Sequence, residues 1–285
     1  MQNSIDKFTN KIFLMDIFDL LDKLPEKSVD MIYGDPDYNV GRKYNEKNYT
    51  KNFNEYIEWY IDLAKKCMSV LKDSGNMFLI NYPKQNSYLR VLYLDKVCYE
   101  VLDYVWIYNT NIGHTPKRFT TAHRSILHCR KTKNNNFYKE NVAMPYKNPK
   151  DKRILKNIEN GSRGKMPYSW LFHNLVKNVS REKTMHSCQI PQKLSELLIK
   201  SSTKEDDIVL ILFGGSGSEI EICNRLKRKY ISAEIDEKYY KMIIDRLENG
   251  KISEKYRLQL KNGEIYDEDA QLLLLENENK YLPNE

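Results

Sequence analysis

The chain is poor in the residues that build metal sites and disulfide frameworks. Its 285 residues include five cysteines and five histidines. Cys67, Cys98, Cys129, Cys188 and Cys223 are odd in number, scattered and without a C-x-x-C pair, so no disulfide set or zinc knuckle is indicated. They read as small core residues. His114, His123, His128, His173 and His186 show no H-E-x-x-H or other paired spacing, and no metal is expected. Long apolar runs are also missing. No stretch approaches the ~18 residues of a membrane span. The leucines at 272–275 are too few, and the first residues carry no secretory apolar segment. The expected location is the cytoplasm, with no membrane partner. Glycine is scarce, at 11 residues, so its clustering at 214, 215 and 217 carries weight.

What is present begins with Tyr33-Gly34-Asp35-Pro36-Asp37-Tyr38-Asn39. It follows Val29-Asp30-Met31-Ile32, which reads as a short buried strand. An acid, a rigid proline and an aromatic ring thus leave a strand end together, where open α/β sheets bind ligands. Asp35 and nearby carbonyls can accept from an amine, and Tyr38 can stack on a planar ring. A plain β-turn is the competing reading, since Asp, Pro and Asn all favour turns.

A second motif runs from Val209 to Glu219. An apolar strand enters Phe213-Gly214-Gly215-Ser216-Gly217-Ser218-Glu219, and a helix follows with apolar Ile220, Cys223 and Leu226. Next comes a short strand, Tyr230-Ile231-Ser232-Ala233, ending in Glu234, an acid that can accept from two ribose hydroxyls. Strand, glycine loop, helix, strand and acid make a nucleoside-binding unit. The spacing is neither G-x-G-x-x-G nor the G-K-[ST] of a phosphate loop. Glu219 would repel phosphate. An adenosyl ligand with a cationic amino-acid end fits better, which points to S-adenosylmethionine rather than NAD or ATP.

In this order the motifs resemble those of the DNA amino-methyltransferases, in the beta group, where the catalytic motif precedes the cofactor motif. That family's Asp-Pro-Pro-Tyr is similar to Asp35-Pro36-Asp37-Tyr38. Its Asp-Pro-Phe-x-Gly-Ser-Gly-Thr-Thr loop is similar to Ile211 through Glu219. Its His-Pro-x-Gln-x-Pro lead-in is similar to His186-Ser187-Cys188-Gln189-Ile190-Pro191. The resemblance covers most of residues 10–248. It implies a Rossmann-like α/β sheet with helices on both faces and an antiparallel edge strand. It also implies S-adenosylmethionine as cofactor and double-stranded DNA as substrate. An acid in first position points to adenine-N6 chemistry of the type II restriction-modification kind, with a cognate endonuclease and a homodimer as candidate partners. By likeness Asp16 reads the cofactor adenine, Glu234 holds ribose, and His186 lies near the cofactor.

The departures bear on activity. Asp37 stands where the family has a second proline. Ile211 replaces the loop's opening aspartate, Leu212 its proline, and Ser218-Glu219 its Thr-Thr pair. Either Glu219 supplies the missing anion or the cofactor binds weakly. Cytosine-N4 methylation, methylation of RNA or protein glutamine, and an inactive DNA-binding relative are the alternatives. An NAD oxidoreductase would leave Asp35–Tyr38 unexplained.

Lys plus Arg number 46 against 39 acids, a net charge of +7. That excess is compatible with DNA without requiring it. The bases concentrate in 131–183, where apolar periodicity is poor. This stretch reads as an irregular basic insertion for target recognition, with Lys150, Arg153, Arg163 and Lys165 as DNA contacts. Residues 40–51 read as a lid over a flipped base, with Asn39, Arg42 and Lys43 as further DNA contacts. Four regions follow: a catalytic half (1–130), a recognition region (131–183), a cofactor half (184–250) and a C-terminal extension (251–285). A helix is expected over 53–71, and strands at 101–108 and 125–130 are expected to pair.

Overall fold

The structure is a computed structural model. It describes residues 5–41, 43–44, 47–48, 51–109, 116–176, 183–250 and 252–257. Arg42 lies outside these, as does nearly all of the 251–285 extension, and of the 43–44 and 47–48 segments only the backbone is described.

In chain order, β1 (Lys11–Leu14) leads to α1 (Ile17–Leu21) and β2 (Val29–Gly34). The stretch expected to be a lid carries a two-stranded antiparallel ladder, β3 (Lys43–Tyr44) with β4 (Lys47–Asn48). Then come α2 (Phe53–Val70), β5 (Leu71–Asn81), α3 (Pro83–Leu89) and α4 (Asp95–Val97), the last two joined by a π turn. The hairpin of β6 (Glu100–Ile107) and β7 (His123–Arg130) follows, then α5 (Lys152–Glu159) and β8 (Trp170–Phe172). The chain continues through α6 (Gln192–Ser202), β9 (Ile208–Ile211), α7 (Ser218–Arg225), β10 (Lys229–Glu234) and α8 (Glu237–Asn249).

Eight strands form one sheet in the order β1-β10-β9-β2-β5-β7-β6-β8. Every pairing is parallel except the two made by β7. The fold class expected from the sequence holds, and strands 101–108 and 125–130 pair as neighbours. The antiparallel strand is not at the edge, however. The hairpin folds β7 inward against β5, and β8 adds outside β6. The recognition stretch contributes that edge strand and the capped helix α5, whose Asp151 carboxylate accepts from Arg153 N at 2.9 Å. Its other described residues are mostly coil.

Alternation along the strands makes two cores, one on each face, as a period of two requires. Val29 and Ile32 of β2, Met77 and Leu79 of β5, and Leu210 of β9 pack with α1 and α2 on one face. Met31, Tyr33, Phe78, Ile80, Val209 and Ile211 pack with α6, α7 and α8 on the other. His128 is a core residue: it stacks on Phe78 with centroids 4.4 Å apart and bonds Asn76 and Tyr104. Burial depresses its pKa to about 3, so it stays neutral.

Gly34 closes β2 where its neighbours come closest. A β-carbon there would meet Leu79 Cδ2 at 2.7 Å and Leu212 Cδ1 at 2.8 Å. Gly34→Ala is therefore expected to cost about 1–3 kcal/mol through overpacking. A fall in the denaturant midpoint at unchanged slope would show it, and an unchanged midpoint would refute the tight contact.

Candidate active site

The carboxyl ends of β1, β10, β9, β2 and β5 point the same way, and the motifs gather there. The register of β2 against β9 pairs Tyr33 with Ile211, and Leu212 N donates to Tyr33 O at 3.0 Å. This sets Asp35 beside the glycine loop although they lie far apart in sequence. The loop turns tightly: Gly215 and Gly217 have φ of +54° and +73°, a region costly for side-chain residues. Gly214 N donates to Ala233 O at 2.8 Å and Gly217 N to Gly214 O at 2.8 Å.

A cavity of about 530 Å³ opens over this edge. Of the residues expected to touch cofactor, Asp16, Asp35, His186, Phe213, Gly214, Gly215, Ser216, Glu219 and Glu234 line it. Gly217 and Ser218 turn the chain into α7 behind the wall. Asp37 lines the cavity, whereas Pro36 and Tyr38 do not. The sequence reading missed Tyr56 and Trp59 of α2, and Tyr239 of α8, all on the wall. Helical spacing over 53–71 cannot tell a core face from a cavity face.

Acids dominate the wall: Asp16, Asp35, Asp37, Glu219, Glu234 and Asp236, against Lys51. Such a cavity favours a cation and disfavours phosphate. Glu234 takes Gly215 N on one carboxylate oxygen at 2.7 Å and Asp236 N on the other at 2.8 Å, so it holds the loop as well as facing the cavity. Asp16 caps α1 by accepting from Phe18 N at 2.8 Å. Glu219 is anchored from two sides: Ser195 Oγ donates to it at 2.8 Å and Ser218 Oγ at 3.0 Å. Ser195 spends its one hydrogen there, so Tyr33 must donate to Ser195, at 2.9 Å. Burial raises the pKa of both Glu219 and Glu234.

Asp35 sits at the cavity floor. Its ordinary pKa of about 3.9 would make it a fully charged, weak base. Burial raises it to about 7, against the Tyr38 hydroxyl and Arg124, which lower it. The Tyr38 hydroxyl donates to Asp35, and the ring is only 5% exposed. Tyr56 OH donates to the carbonyl of Asp37 at 2.6 Å and fixes the loop backbone where proline rigidity is missing. Asn39, with φ of +57°, accepts from Lys51 N at 2.7 Å and donates to Lys51 O at 3.0 Å, closing the 40–50 loop at its base. His186 packs edge-on against Tyr239 at 4.7 Å and faces Gly215.

None of the described residues expected to contact DNA lines the cavity. The Arg153 side chain is 91% exposed beside Asp151. Arg163 N donates to Glu140. Lys165 donates to Tyr168 OH at 2.8 Å, and Lys150 is exposed. Lys43 lies in the β3–β4 ladder. Among the described residues no group of three or more metal-ligating side chains occurs, and no helix is long and apolar enough to cross a membrane.

Sheet order, glycine loop and acidic cavity define a class: a Rossmann-like methyltransferase domain that uses S-adenosylmethionine. The chain belongs to the DNA methylase family of N6 and N4 amino-methyltransferases, whose pattern spans residues 29–245. It is 32% identical over 232 residues to the type II methyltransferase M.HpaI of Haemophilus parainfluenzae, covering 80% of this chain and 71% of that protein. Against M.BamHI of Bacillus amyloliquefaciens the identity is 30% over 271 residues, 92% of this chain and 61% of that protein. The DNA adenine methyltransferase YhdJ of Escherichia coli is 27% identical over 238 residues, 80% of this chain and 79% of that protein. Among solved structures, the cytosine-N4-specific PvuII DNA methyltransferase superposes with a TM-score of 0.61 at 21% identity, covering 85% of this chain and 93% of that one. M1.HpyAVI with bound S-adenosylmethionine gives 0.57 at 22%, covering 83% and 98%.

Asp35 lines an acidic cavity, so a cation bound there, such as the sulfonium of S-adenosylmethionine, must lower the Asp35 pKa. Binding is then linked to proton release, and cofactor affinity should rise as pH rises through about 7, by up to about tenfold per unit on the acid side. Calorimetry in buffers of different ionisation enthalpy reads both quantities. Asp35→Asn should flatten the dependence near 7. An equally steep profile in that variant would assign the linkage elsewhere.

Proposed function

We propose that the chain is a site-specific DNA adenine-N6 methyltransferase acting on a flipped-out adenine in duplex DNA. The observation that carries the reading is a partly buried carboxylate, Asp35, at the floor of an acidic cavity that the glycine loop shares. S-adenosylmethionine supplies an electrophilic methyl group on a sulfonium. Glu219 takes the ammonium end of the cofactor, Glu234 the ribose hydroxyls and Asp16 the adenine, while Phe213 and Trp59 cover apolar parts. Asp35 and the Pro36 carbonyl accept hydrogens from the exocyclic amine. They stabilise the positive charge that grows on nitrogen. With its pKa raised to about 7, Asp35 can also take the proton that the amine sheds. Tyr38 stacks on the flipped base once its hydroxyl leaves Asp35.

Cytosine-N4 methylation is the second reading. It is favoured by the likeness to PvuII methyltransferase, whose substrate its name states. Modification-sensitive sequencing of DNA treated with the enzyme separates the two, because it reports the base and the atom. Asp35→Ala should abolish transfer, and below pH 7, where Asp35 of the parent already carries its proton, cofactor affinity should change within a few-fold. Transfer near the parent rate would remove Asp35 from the mechanism.

The departed cofactor loop gives a sharper expectation. Glu219→Gln should weaken S-adenosylmethionine binding by about tenfold or more, the worth of a charge-assisted hydrogen bond. Ile211 is 1% exposed inside the sheet. Ile211→Asp should therefore destabilise the fold by burying a charge rather than tighten the cofactor. Dissociation constants and melting curves for both variants check this. Unchanged affinity in Glu219→Gln would leave the ammonium without its acid.

For DNA, the recognition segment contributes β8, which runs parallel to β2 four strands away, about 19 Å at sheet spacing. The end of β8 thus lies on the same side as Asp35, within the span of a bound duplex. Lys150→Ala should weaken binding at every sequence and lower the salt slope. Arg153→Ala and Arg163→Ala should relax site choice if they reach base edges. Titrations at several salt concentrations with all three unchanged would reduce the segment to a solvated insertion. A cognate endonuclease, a homodimer and a cytoplasmic site of action belong to the same reading, by family likeness.

A further inference from the structure

Arg124 is a buried cation that the chemistry above does not use. It stands second in β7, 9% exposed. Among the described residues no carboxylate lies within ion-pair distance of it. It is packed against rings instead. The guanidinium carbon lies 3.8 Å from the centroid of Tyr82 and 5.4 Å from those of Tyr38 and Tyr108. Nη1 donates to the Tyr108 hydroxyl, and to His123 O at 3.1 Å. Tyr82 meets Tyr38 edge to face at 5.5 Å. Gln85 donates to the Tyr38 carbonyl at 2.8 Å. Three tyrosines from three parts of the fold thus form a box around one guanidinium. The ring of Tyr38, whose hydroxyl donates to Asp35, is one wall of it.

We infer that Arg124 is a positioning residue for methyl transfer: it clamps one face of Tyr38 and holds a fixed positive charge behind Asp35. The inference rests on the reading of Asp35 as the acceptor of the target amine. A buried guanidinium without an acid beside it is costly. Cation–π contact with desolvated rings offsets part of that cost, and the attraction of Asp35 offsets more. A planar, permanently charged group suits the place, because it stacks and cannot discharge. One Tyr38 face is taken, so an incoming base is directed to the other.

The titratable and charged groups that interact with Asp35 are Asp37 and Tyr38 from its own loop, Tyr33 from β2, Tyr56 and Tyr60 from α2, Glu219 from α7 and Arg124 from β7. Among those acting on Asp35 through charge, Arg124 is the cation, and Glu219 and Asp37 oppose it. Removing Arg124 therefore raises the Asp35 pKa above about 7. Less carboxylate remains at neutral pH, and the acid limb of transfer moves upward.

The test compares the parent with Arg124→Lys, Arg124→Gln and Arg124→Leu. Single-turnover transfer into unmethylated duplex DNA is measured from pH 6 to 9.5, with cofactor affinity by calorimetry. In Arg124→Gln and Arg124→Leu the acid limb should move up by about one pH unit, a usual effect of one nearby charge. Transfer at pH 7 should then fall by up to about fivefold from ionisation alone, with part recovered at high pH. Arg124→Lys should keep the limb within a few tenths of a unit and lose only in plateau, since lysine keeps the charge without the planar stack. Loss that is equal at every pH, with the limb unmoved, would make Arg124 merely structural and overturn the inference. The carboxyl titration of Asp35 by NMR, in chain labelled at aspartate and assigned through Asp35→Asn, reads the same shift without catalysis. If the parent transfers no methyl group, the functional reading fails, yet this titration still decides the role of Arg124: an Asp35 pKa unmoved in Arg124→Leu overturns it.

Discussion

The pairing of β2 with β9 is the constraint on which the site depends. These strands belong to the two ends of the described chain, and no local interaction brings them together. Parallel pairing sets their carboxyl ends level, and the Leu212 N to Tyr33 O bond closes the last step before both chains turn outward. Asp35 leaves one strand and the glycine loop leaves the other. A slip of one residue would turn Tyr33 and Ile211 to the opposite core and remove the floor of the cavity. The register is specified because both faces are buried: Met31, Tyr33, Val209 and Ile211 fill one core, and Ile32, Leu210 and Leu212 the other.

The sequence made the strand ends legible and left the walls illegible. A strand that ends in an acid, or in a glycine cluster, announces itself locally, because the turn chemistry and the apolar run are contiguous. Asp35, Glu219 and Glu234 were found that way. Tyr56, Trp59 and Tyr239 were not, since a residue on an amphipathic helix looks the same whether it faces a core or a cavity. Strand order was legible only in part. The hairpin of β6 and β7 could be read from two neighbouring runs, but β8 is three residues long in a basic, aperiodic stretch. Only the exposed edge of β6 makes a strand of it. Asn39 shows the opposite limit: its residue type suggested a turn or a DNA contact, and its amide closes a loop onto Lys51, a partner that nothing in the sequence names.

Two departures from the family pattern have counterparts in the structure. Loss of the second proline at Asp37 frees a backbone that should be rigid. The Tyr56 hydroxyl takes the Asp37 carbonyl, and Asn81 in turn donates to that hydroxyl at 2.8 Å. A hydrogen-bond chain from α2 and β5 thus supplies constraint that the ring would have supplied from within the loop.

The second departure concerns where the negative charge sits. Ile211 turns its side chain into the apolar core, where a carboxylate would meet no partner. Glu219 lies beyond the glycine loop, in the first turn of α7, and is long enough to reach the cavity wall, with Ser195 and Ser218 donating to its two oxygens. Those donors matter as much as the acid. A buried carboxylate without them would hold its proton and offer a cation little. With them, part of its desolvation is compensated and its orientation is fixed. Tyr33, through Ser195, ties this anion to the strand that carries Asp35. Moving the acid from the strand end to the helix start therefore keeps a negative charge in the cavity while leaving the sheet core fully apolar. It also brings Glu219 close enough to help hold the Asp35 pKa high. Glu219 and Asp35 form one electrostatic unit, and a bound cation is the species that relieves both.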